Sequence, residues 1–526
     1  MEPMQPAGGR TREYRRRLGA GLAMVAISAT FVGCGGCSGG GPTRHAPASR
    51  GPGGEVTNLN QLRPSRARRP NIVFVLTDDL AWNLVRYMPH VTQMRSRGVT
   101  FNHYFVTDSL CCPSRASIFS GRLPHNTGIF TNTPPDGGFH AFRRRGEEIA
   151  TFATALRGAG YRTAMMGKYL NGYVPATPLG GRAYVPPGWS RWDVAGNGYP
   201  EFNYWLNENG QAVPYGNRPA DYLTDVLARK GLAFIRQSAR ARRPFMLELA
   251  TFAPHAPYTP APRDARDFPG LRAPRPPSFD ARNVNPPAWL TANRRLPPAA
   301  VRLIDRGFRR RAQAVQAVDL MIARLEGALK AAGVARNTYI VFSSDNGLHM
   351  GEHRLLPGKL TAFDSDIRVP LIVTGPGIRG GRTIGKIAEN IDLAPTFSQL
   401  AGTSMSPVVD GRSLVPLLHE RPVARWRDTV LIEHHGPEGA PLDPDLPGIG
   451  AGNPTSYEAI RTRREVYVEY VDGESEYYDL ARDPFETDNT VRSLSPRHRA
   501  RLHATLTALA VCRGQQSCSA AGRLVK

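Results

Sequence analysis

The stretch Asn71–Thr77, reading Asn-Ile-Val-Phe-Val-Leu-Thr, is a near-continuous apolar run closed by Asp78-Asp79. A run so short and so uniformly apolar suits a strand buried on both faces, as strands of parallel sheets are. The pattern recurs: Glu148–Gly160 reads as a helix, Tyr161–Met166 and Phe245–Phe252 as strands, Ala312–Ala332 as a helix and Asn337–Ser344 again as a buried strand. This alternation predicts an α/β fold with a mostly parallel sheet sandwiched by helices. Ligands of such sheets gather outside the carboxyl ends of the strands. Two of these strands end in Asp78-Asp79 and in Asp345-Asn346-Gly347. Either sequence alone is an ordinary turn or helix cap. Brought together, Asp78, Asp79, Asp345 and Asn346 would form an all-oxygen, anionic nest suited to Ca²⁺ or Mg²⁺ rather than zinc.

A second constraint lies at Cys111-Cys112-Pro113-Ser114-Arg115, inside the run Ser109–Arg122. Pro113 fits the first turn of a helix, where its missing N–H costs nothing, and Ala116–Phe119 can continue that helix. Cys111 then sits at the helix N-terminus, where free N–H groups and the dipole favour an anion, and Arg115 adds a planar cation one turn on. Two buried cysteines before a helix are the plain alternative, since Cys is among the most buried residue types. The whole run, Cys-x-Pro-Ser-Arg leading to Ser120-Gly121-Arg122, resembles the signature of the formylglycine-dependent type I sulfatases.

That resemblance implies an alkaline-phosphatase-like fold. It also implies that Cys111 is oxidised to formylglycine by a formylglycine-generating enzyme during maturation. The hydrated aldehyde offers two hydroxyls: one attacks sulfur, and loss of a proton from the other expels sulfate. The family favours Ca²⁺ over Mg²⁺ at Asp78, Asp79, Asp345 and Asn346, with the modified Cys111 completing the metal shell.

Other stretches carry the same likeness. Gly167-Lys168-Tyr169-Leu170-Asn171 matches the family's Gly-Lys motif and makes Lys168 a sulfate ligand. Many sulfatases place a His where this chain has Leu170. The Lys-Tyr-Leu-Asn form is similar instead to the branch of N-acetylglucosamine-6-sulfatases and extracellular heparan sulfatases. Asn171 is a polar stand-in there that cannot act as a base. Pro254-His255-Ala256-Pro257 matches the substrate-side His, so His255 could protonate the leaving oxygen. Taken alone, a His after a strand is more often structural. Gly351-Glu352-His353 through Gly358-Lys359 and on to Arg368-Val369-Pro370 makes Lys359 the second sulfate-contacting lysine; His349 and His353 are lesser candidates for substrate contact. Ile391–Thr396 and Tyr478–Glu486 are further landmarks, so the resemblance runs from Asn71 to Cys518.

The net charge of +23 comes mainly from arginine. Such a chain could prefer anionic substrates, sulfated polymers or nucleic acid, although arginine bias also follows from a GC-rich genome. No zinc-finger spacing or basic-aromatic register accompanies the charge, which argues against a nucleic-acid partner. The cysteines form three close pairs, and Cys512 with Cys518 reads as a disulfide in an oxidising compartment. The N-terminus points to that compartment: Arg15-Arg16-Arg17 precedes an apolar run, Leu18–Val32, of signal-peptide length. It ends in Phe31-Val32-Gly33-Cys34, which resembles a bacterial lipobox and makes Cys34 a candidate for lipidation. The expected organisation is a leader over 1–34, a tether over 35–69, a catalytic domain over 70–425 and an α+β subdomain with a small antiparallel sheet over 426–526.

The sequence thus reads as an exported enzyme, anchored as a lipoprotein or else periplasmic or secreted, that hydrolyses a sulfate monoester of a sugar or aryl alcohol. A phosphonate monoester or phosphodiester hydrolase on the same scaffold is the first alternative. A catalytically silent binder of sulfated glycans is the second.

Overall fold

The structure is a computed structural model that describes residues 69–524 apart from 176–177, 180–181, 406–408 and 442. The expected leader, nearly all of the tether, and Cys34 lie outside the described residues.

The large sheet contains, in chain order, β1 (Asn71–Thr77), β2 (Val99–Phe101), β3 (Arg162–Lys168), β4 (Arg191–Ala195), β5 (Tyr204–Glu208), β6 (Gln211–Tyr215), β7 (Phe245–Ala250), β8 (Thr338–Ser344), β9 (Leu371–Thr374) and β10 (Arg382–Ile384). Its spatial order is β10-β2-β9-β8-β1-β7-β3-β4-β5-β6. The central strands β8, β1, β7, β3 and β4 are mutually parallel. Antiparallel strands β9 and β5 flank them.

Every residue of β1 is buried because both faces of the sheet are covered. Ile72, Phe74 and Leu76 pack into one layer with Phe101, Ile118 and Phe152. Val73 and Val75 pack into the other with Leu247, Leu249, Ile322 and Phe342. At about 1.5–3 kcal/mol for each such side chain removed from water, this double burial is what drives the apolar run into the middle of the sheet.

The first layer holds helix α1 (Cys111–Ser120), all of whose residues are buried. It has no side-chain N-cap and ends at Gly121, whose φ of 70° puts the C-cap in the left-handed region where glycine carries no Cβ penalty. The second layer holds α2 (Leu223–Arg240) and α3 (Pro298–Ala331). Helix α3 starts well before the expected Ala312. Its first turns carry Arg302, Arg306, Arg309 and Arg310 around the inward Ile304 and Phe308, so the apolar spacing is diluted there.

The C-terminal part forms an antiparallel meander of β11 (Thr429–His434), β12 (Tyr457–Thr462), β13 (Glu465–Tyr470) and β14 (Ser475–Asp479), covered by α4 (Pro496–Ala510). Leu431, Ile460 and Tyr467 of this sheet pack against Leu502 and Leu506 of α4. The Cys512–Cys518 disulfide is present, with a Cα–Cα distance of 5.0 Å. None of the described helices is long and apolar enough to cross a membrane.

Candidate active site

Because β8, β1, β7 and β3 are adjacent and parallel, whatever follows their carboxyl ends meets at one edge of the sheet. Asp78-Asp79 leave β1, Asp345-Asn346 leave β8, Lys168 is the last residue of β3, and His255 follows β7. All six are buried. Helix α1 brings Cys111 to the same point, its Sγ 3.2 Å from Asp78 Oδ1. Lys359 arrives from the loop after β8 and donates to Cys111 Sγ at 2.9 Å and to Asp79 Oδ1 at 2.7 Å.

Arg115, one turn into α1, fastens the strand ends to the helix. Its Nε donates to Asp345 Oδ2 at 2.8 Å, and one terminal nitrogen donates to the Lys168 carbonyl at 2.9 Å. The other terminal nitrogen has no hydrogen-bond partner. Lys168 Nζ lies 2.6 Å from Asp78 Oδ2 and 4.9 Å from the centre of the Tyr199 ring.

The electrostatics follow from this crowding of opposite charges under full burial. Burial alone would raise the Asp78 carboxyl, but Lys168, His255, Arg115 and Lys359 overcome it and hold the group well below the usual range. Asp345 goes the other way, to about 6, because burial and the neighbouring Asp78 outweigh Arg115 and Lys168. The Cys111 thiol is pushed well above its ordinary value by burial and by the charges of Asp445 and Asp78. Unmodified, it is therefore a neutral thiol and a weak nucleophile. For His255, burial works against protonation, yet Asp79, Asp445 and Asp78 together raise its pKa. Its Nδ1 faces the Ala256 carbonyl at 2.7 Å and its Nε2 faces Asp445 Oδ1 at 2.5 Å, the pattern of an imidazolium with two acceptors.

The donor chemistry fits a hard divalent cation. Ligand atoms of Asp78, Asp79, Cys111 and His255 all lie within 4.8 Å of one another. Asn346 donates to Asp79 Oδ1 at 2.6 Å, while its own Oδ1 is buried with no hydrogen-bond partner. An orphaned amide oxygen beside carboxylates is what an oxygen-seeking ion would satisfy. Asp345 stands behind this group, its Oδ1 taking the N–H groups of Asp79 and Asn346. Asp79 itself adopts a φ of 61°, a conformation that Asp tolerates better than most residues.

The structure brings together Asp78, Asp79, Cys111, Arg115, Lys168, His255, Asp345, Asn346 and Lys359. It turns His349 and His353 elsewhere. His349 Nδ1 faces Asp366 at 2.9 Å, and His353 stacks on Phe363 with ring centres 3.8 Å apart.

Two participants escaped the sequence. Asp445, on the loop between β11 and β12, accepts from Lys359 Nζ at 2.7 Å as well as from His255. Asn132 donates to the same carboxylate at 2.9 Å, next to the Asn171 amide at 3.0 Å. The only trace of Asp445 in the sequence is an acidic pair, Asp443-Pro444-Asp445, within a Pro- and Gly-rich stretch of a basic chain. Asn132 has no trace at all.

A sequence model described as Sulfatase matches residues 70–403. The chain belongs to the sulfatase family. Within it, a second model, N-sulphoglucosamine sulphohydrolase C-terminal, matches residues 351–511 and so takes in the small sheet. The sulfatase chain is 35% identical over 474 residues to the human N-acetylglucosamine-6-sulfatase, covering 85% of each. It is 36% identical over 382 residues to the Drosophila melanogaster extracellular sulfatase SULF-1 homolog, covering 71% of this chain and 34% of that one. Among solved structures, one in complex with its substrate D-glucosamine-2-N,6-O-disulfate superposes with a TM-score of 0.69 at 24% identity, covering 84% of this chain and 97% of that one. The phosphonate monoester hydrolase of Agrobacterium radiobacter gives a TM-score of 0.64 at 21% identity, covering 84% and 95%. These neighbours share the alkaline-phosphatase-like fold expected from the motifs. The chain is an enzyme of sulfate ester hydrolysis.

Proposed function

We propose that this sulfatase removes the 6-sulfate of N-acetylglucosamine-type residues in sulfated glycans, with formylglycine made from Cys111 and Ca²⁺ held by Asp78, Asp79, Asp345 and Asn346. The observation that carries the reading is the meeting of Cys111 Sγ with Asp78 at 3.2 Å and Lys359 at 2.9 Å at the carboxyl edge of the parallel strands. The substrate class rests on the likeness to N-acetylglucosamine-6-sulfatases over most of the chain. Export is supported by the extracellular sulfatase relatives together with the signal-like leader.

Formylglycine would supply a hydrated aldehyde as the nucleophile, and Ca²⁺ would neutralise charge on the sulfate oxygens. The rest falls to this chain's own side chains. Lys168 and Lys359 bind the anionic ester and stay charged, since each is raised well above its ordinary value by the carboxylates beside it in spite of burial. Arg115 fixes Asp345 and the end of β3, so the cations are held in place before substrate arrives. His255 holds a proton at Nε2 for the departing sugar oxygen. A cavity of about 460 Å³, lined by Asn171, Tyr173, Asn197, Tyr199, Trp205 and Pro444, adjoins the site and has the aromatic walls that suit a sugar ring.

The test is mass spectrometry of the tryptic peptide 98–115 from protein made in its native host, with parallel assays of N-acetylglucosamine 6-sulfate, an aryl sulfate and an aryl phosphodiester. Formylglycine at Cys111, turnover of the sulfates and its loss in Cys111→Ala are expected. An unmodified thiol in active protein would overturn the nucleophile. Faster turnover of the phosphodiester would turn the assignment to the phosphorus-cleaving alternative.

A further inference from the structure

The Asp445 carboxylate holds the donors that a bound sulfate needs. Its Oδ1 lies 2.5 Å from His255 Nε2 and 2.7 Å from Lys359 Nζ, and its Oδ2 takes the amides of Asn132 and Asn171. Lys359 Nζ links it to the nucleophile, since the same ammonium donates to Cys111 Sγ at 2.9 Å. A carboxylate and a sulfate group are both planar or tetrahedral oxyanions that accept from the same ammonium, imidazolium and amide donors. They cannot share Lys359 and His255, because two anions at that separation in a buried site repel strongly.

The segment that carries Asp445 is attached in an unusual way. Among the described residues, the side-chain hydrogen bonds tying 439–449 to the rest of the chain all run through Asp443 and Asp445. Of its described large apolar side chains, Leu446 is 40% and Ile449 is 99% exposed. Glycines bracket the tip: Gly439 and Gly448 have open space around them, and Gly450 and Gly452 take φ values of 81° and 80°. The base is fastened separately, by Glu438 N–H to Asn453 at 2.8 Å and by the Gly450 carbonyl accepting from Leu356 N–H at 2.8 Å. A tip held by two carboxylates between fixed, glycine-rich ends can leave as a unit when those carboxylates lose their partners. Pro444, between the two acids, forms part of the wall of the sugar-sized cavity, so the same movement would join that cavity to the nucleophile.

We infer that Asp445 is an internal competitor of the substrate: its carboxylate occupies the anion subsite formed by Lys359, His255, Asn132 and Asn171, and a sulfate ester must displace the 439–449 tip to reach Cys111. Asp445 thereby sets how tightly sulfate and its esters bind. The inference rests on the reading of Lys359 and His255 as sulfate ligands.

The experiment uses the mature full-length enzyme and inorganic sulfate as the probe. In Asp445→Asn, which keeps size and loses charge, the inhibition constant for sulfate should fall about tenfold, and KM for N-acetylglucosamine 6-sulfate should fall with it. Hydrogen exchange on the unmutated enzyme gives a second readout that needs no variant: sulfate should speed exchange of amides 439–449 and leave those of β1 and β8 unchanged. An unchanged or weaker sulfate affinity in Asp445→Asn, accompanied by a lower kcat, would overturn the inference and make the carboxylate a positioning partner of His255. Slower exchange of 439–449 on adding sulfate would overturn it too, showing a loop that closes over the anion. If sulfate failed to inhibit the unmutated enzyme and Lys359→Ala left its turnover intact, the sulfate-binding reading of Lys359 would itself fall.

Discussion

The two sheets contribute to one site by opposite means. The large sheet delivers Asp78, Lys168, His255 and Asp345 from the ends of adjacent buried strands, where the backbone is locked by ladders on both sides. The small sheet delivers Asp445 from a loop of more than twenty residues between β11 and β12, and among the described residues the side-chain hydrogen bonds that tie its tip to the rest of the chain run through Asp443 and Asp445. The strand ends have no freedom to adjust, so their charges can be preorganised for the developing anion. The loop can give way, so its charge can compete with the substrate rather than serve it.

The contrast is sharpest at Arg115, which ties the strand ends together. With no exposed surface, it pairs with Asp345 and caps the Lys168 carbonyl. Arg115→Ala would leave buried Asp345 and Asp78 short of a counter-charge, at a cost of about 3–5 kcal/mol in stability. Chemical denaturation should show that loss, and the surviving folded fraction should have negligible turnover. A near-neutral effect would mean that the strand-end charges are not mutually dependent.

Glu248, in the middle of β7, probes the same rigid region by pH. Its side chain is buried, neither carboxyl oxygen has a partner, and burial, only partly relieved by Arg115, raises its pKa from 4.5 to about 8. The folded chain keeps this proton up to about pH 8, while the unfolded chain loses it near 4.5. The contribution to stability is therefore full below the unfolded value and is lost as pH rises toward the folded one, amounting to roughly 4 kcal/mol over the window. Glu248→Gln should flatten the decline between pH 5 and 8 in denaturation experiments. A slope unchanged by the substitution would place the titrating group elsewhere.

Lys359 joins the two regions, since it touches Asp79 and Cys111 on one side and Asp445 on the other. Lys359→Ala should lower kcat/KM for sulfate esters by about 10²–10³-fold, the usual scale for losing one preorganised donor. It should also release the 439–449 tip, which limited proteolysis would report as a new cleavage site. Lost activity with an unchanged digestion pattern would mean that His255 and the two asparagines hold the tip unaided.

How far the sequence reveals each region follows from the same contrast. Strands buried on both faces advertise themselves as apolar runs, and the groups at their ends sit at fixed offsets, so Asp78 and Asp345 could be found along with the sheet, while Lys168 and His255 were picked out by their likeness to the sulfatase motifs. The small antiparallel sheet expected within 426–526 was legible too, because its strands and α4 each have one apolar face. The β5-β6 hairpin was not anticipated, because its strands are half exposed and carry Pro214, Asn207 and Trp205 in place of an alternating pattern. Asp445 and Asn132 were invisible for a different reason. Each reaches the site by tertiary placement of a loop, and no periodicity or end-of-strand rule records where a loop will fold back.

The smallest effect tests whether the small sheet must be rigid for its loop to act. The Cys512–Cys518 bridge closes a short loop, with a sequence separation of 6. Constraining the unfolded chain over so few residues stabilises by about 2 kcal/mol. The bridge also has a native-state task, since the Cys512 carbonyl accepts from His125 Nε2 and Asn126 Nδ2, each at 2.8 Å, and His125 pairs with Glu433 at the end of β11. The double variant Cys512→Ser, Cys518→Ser should melt a few degrees lower while its inhibition constant for sulfate stays put, because the tip is held from the side of the large sheet. A tighter inhibition constant in that variant would show that loosening the small sheet loosens the tip as well. The two sheets would then act on the anion subsite as one body, and the contrast between fixed strand ends and a yielding loop would fail.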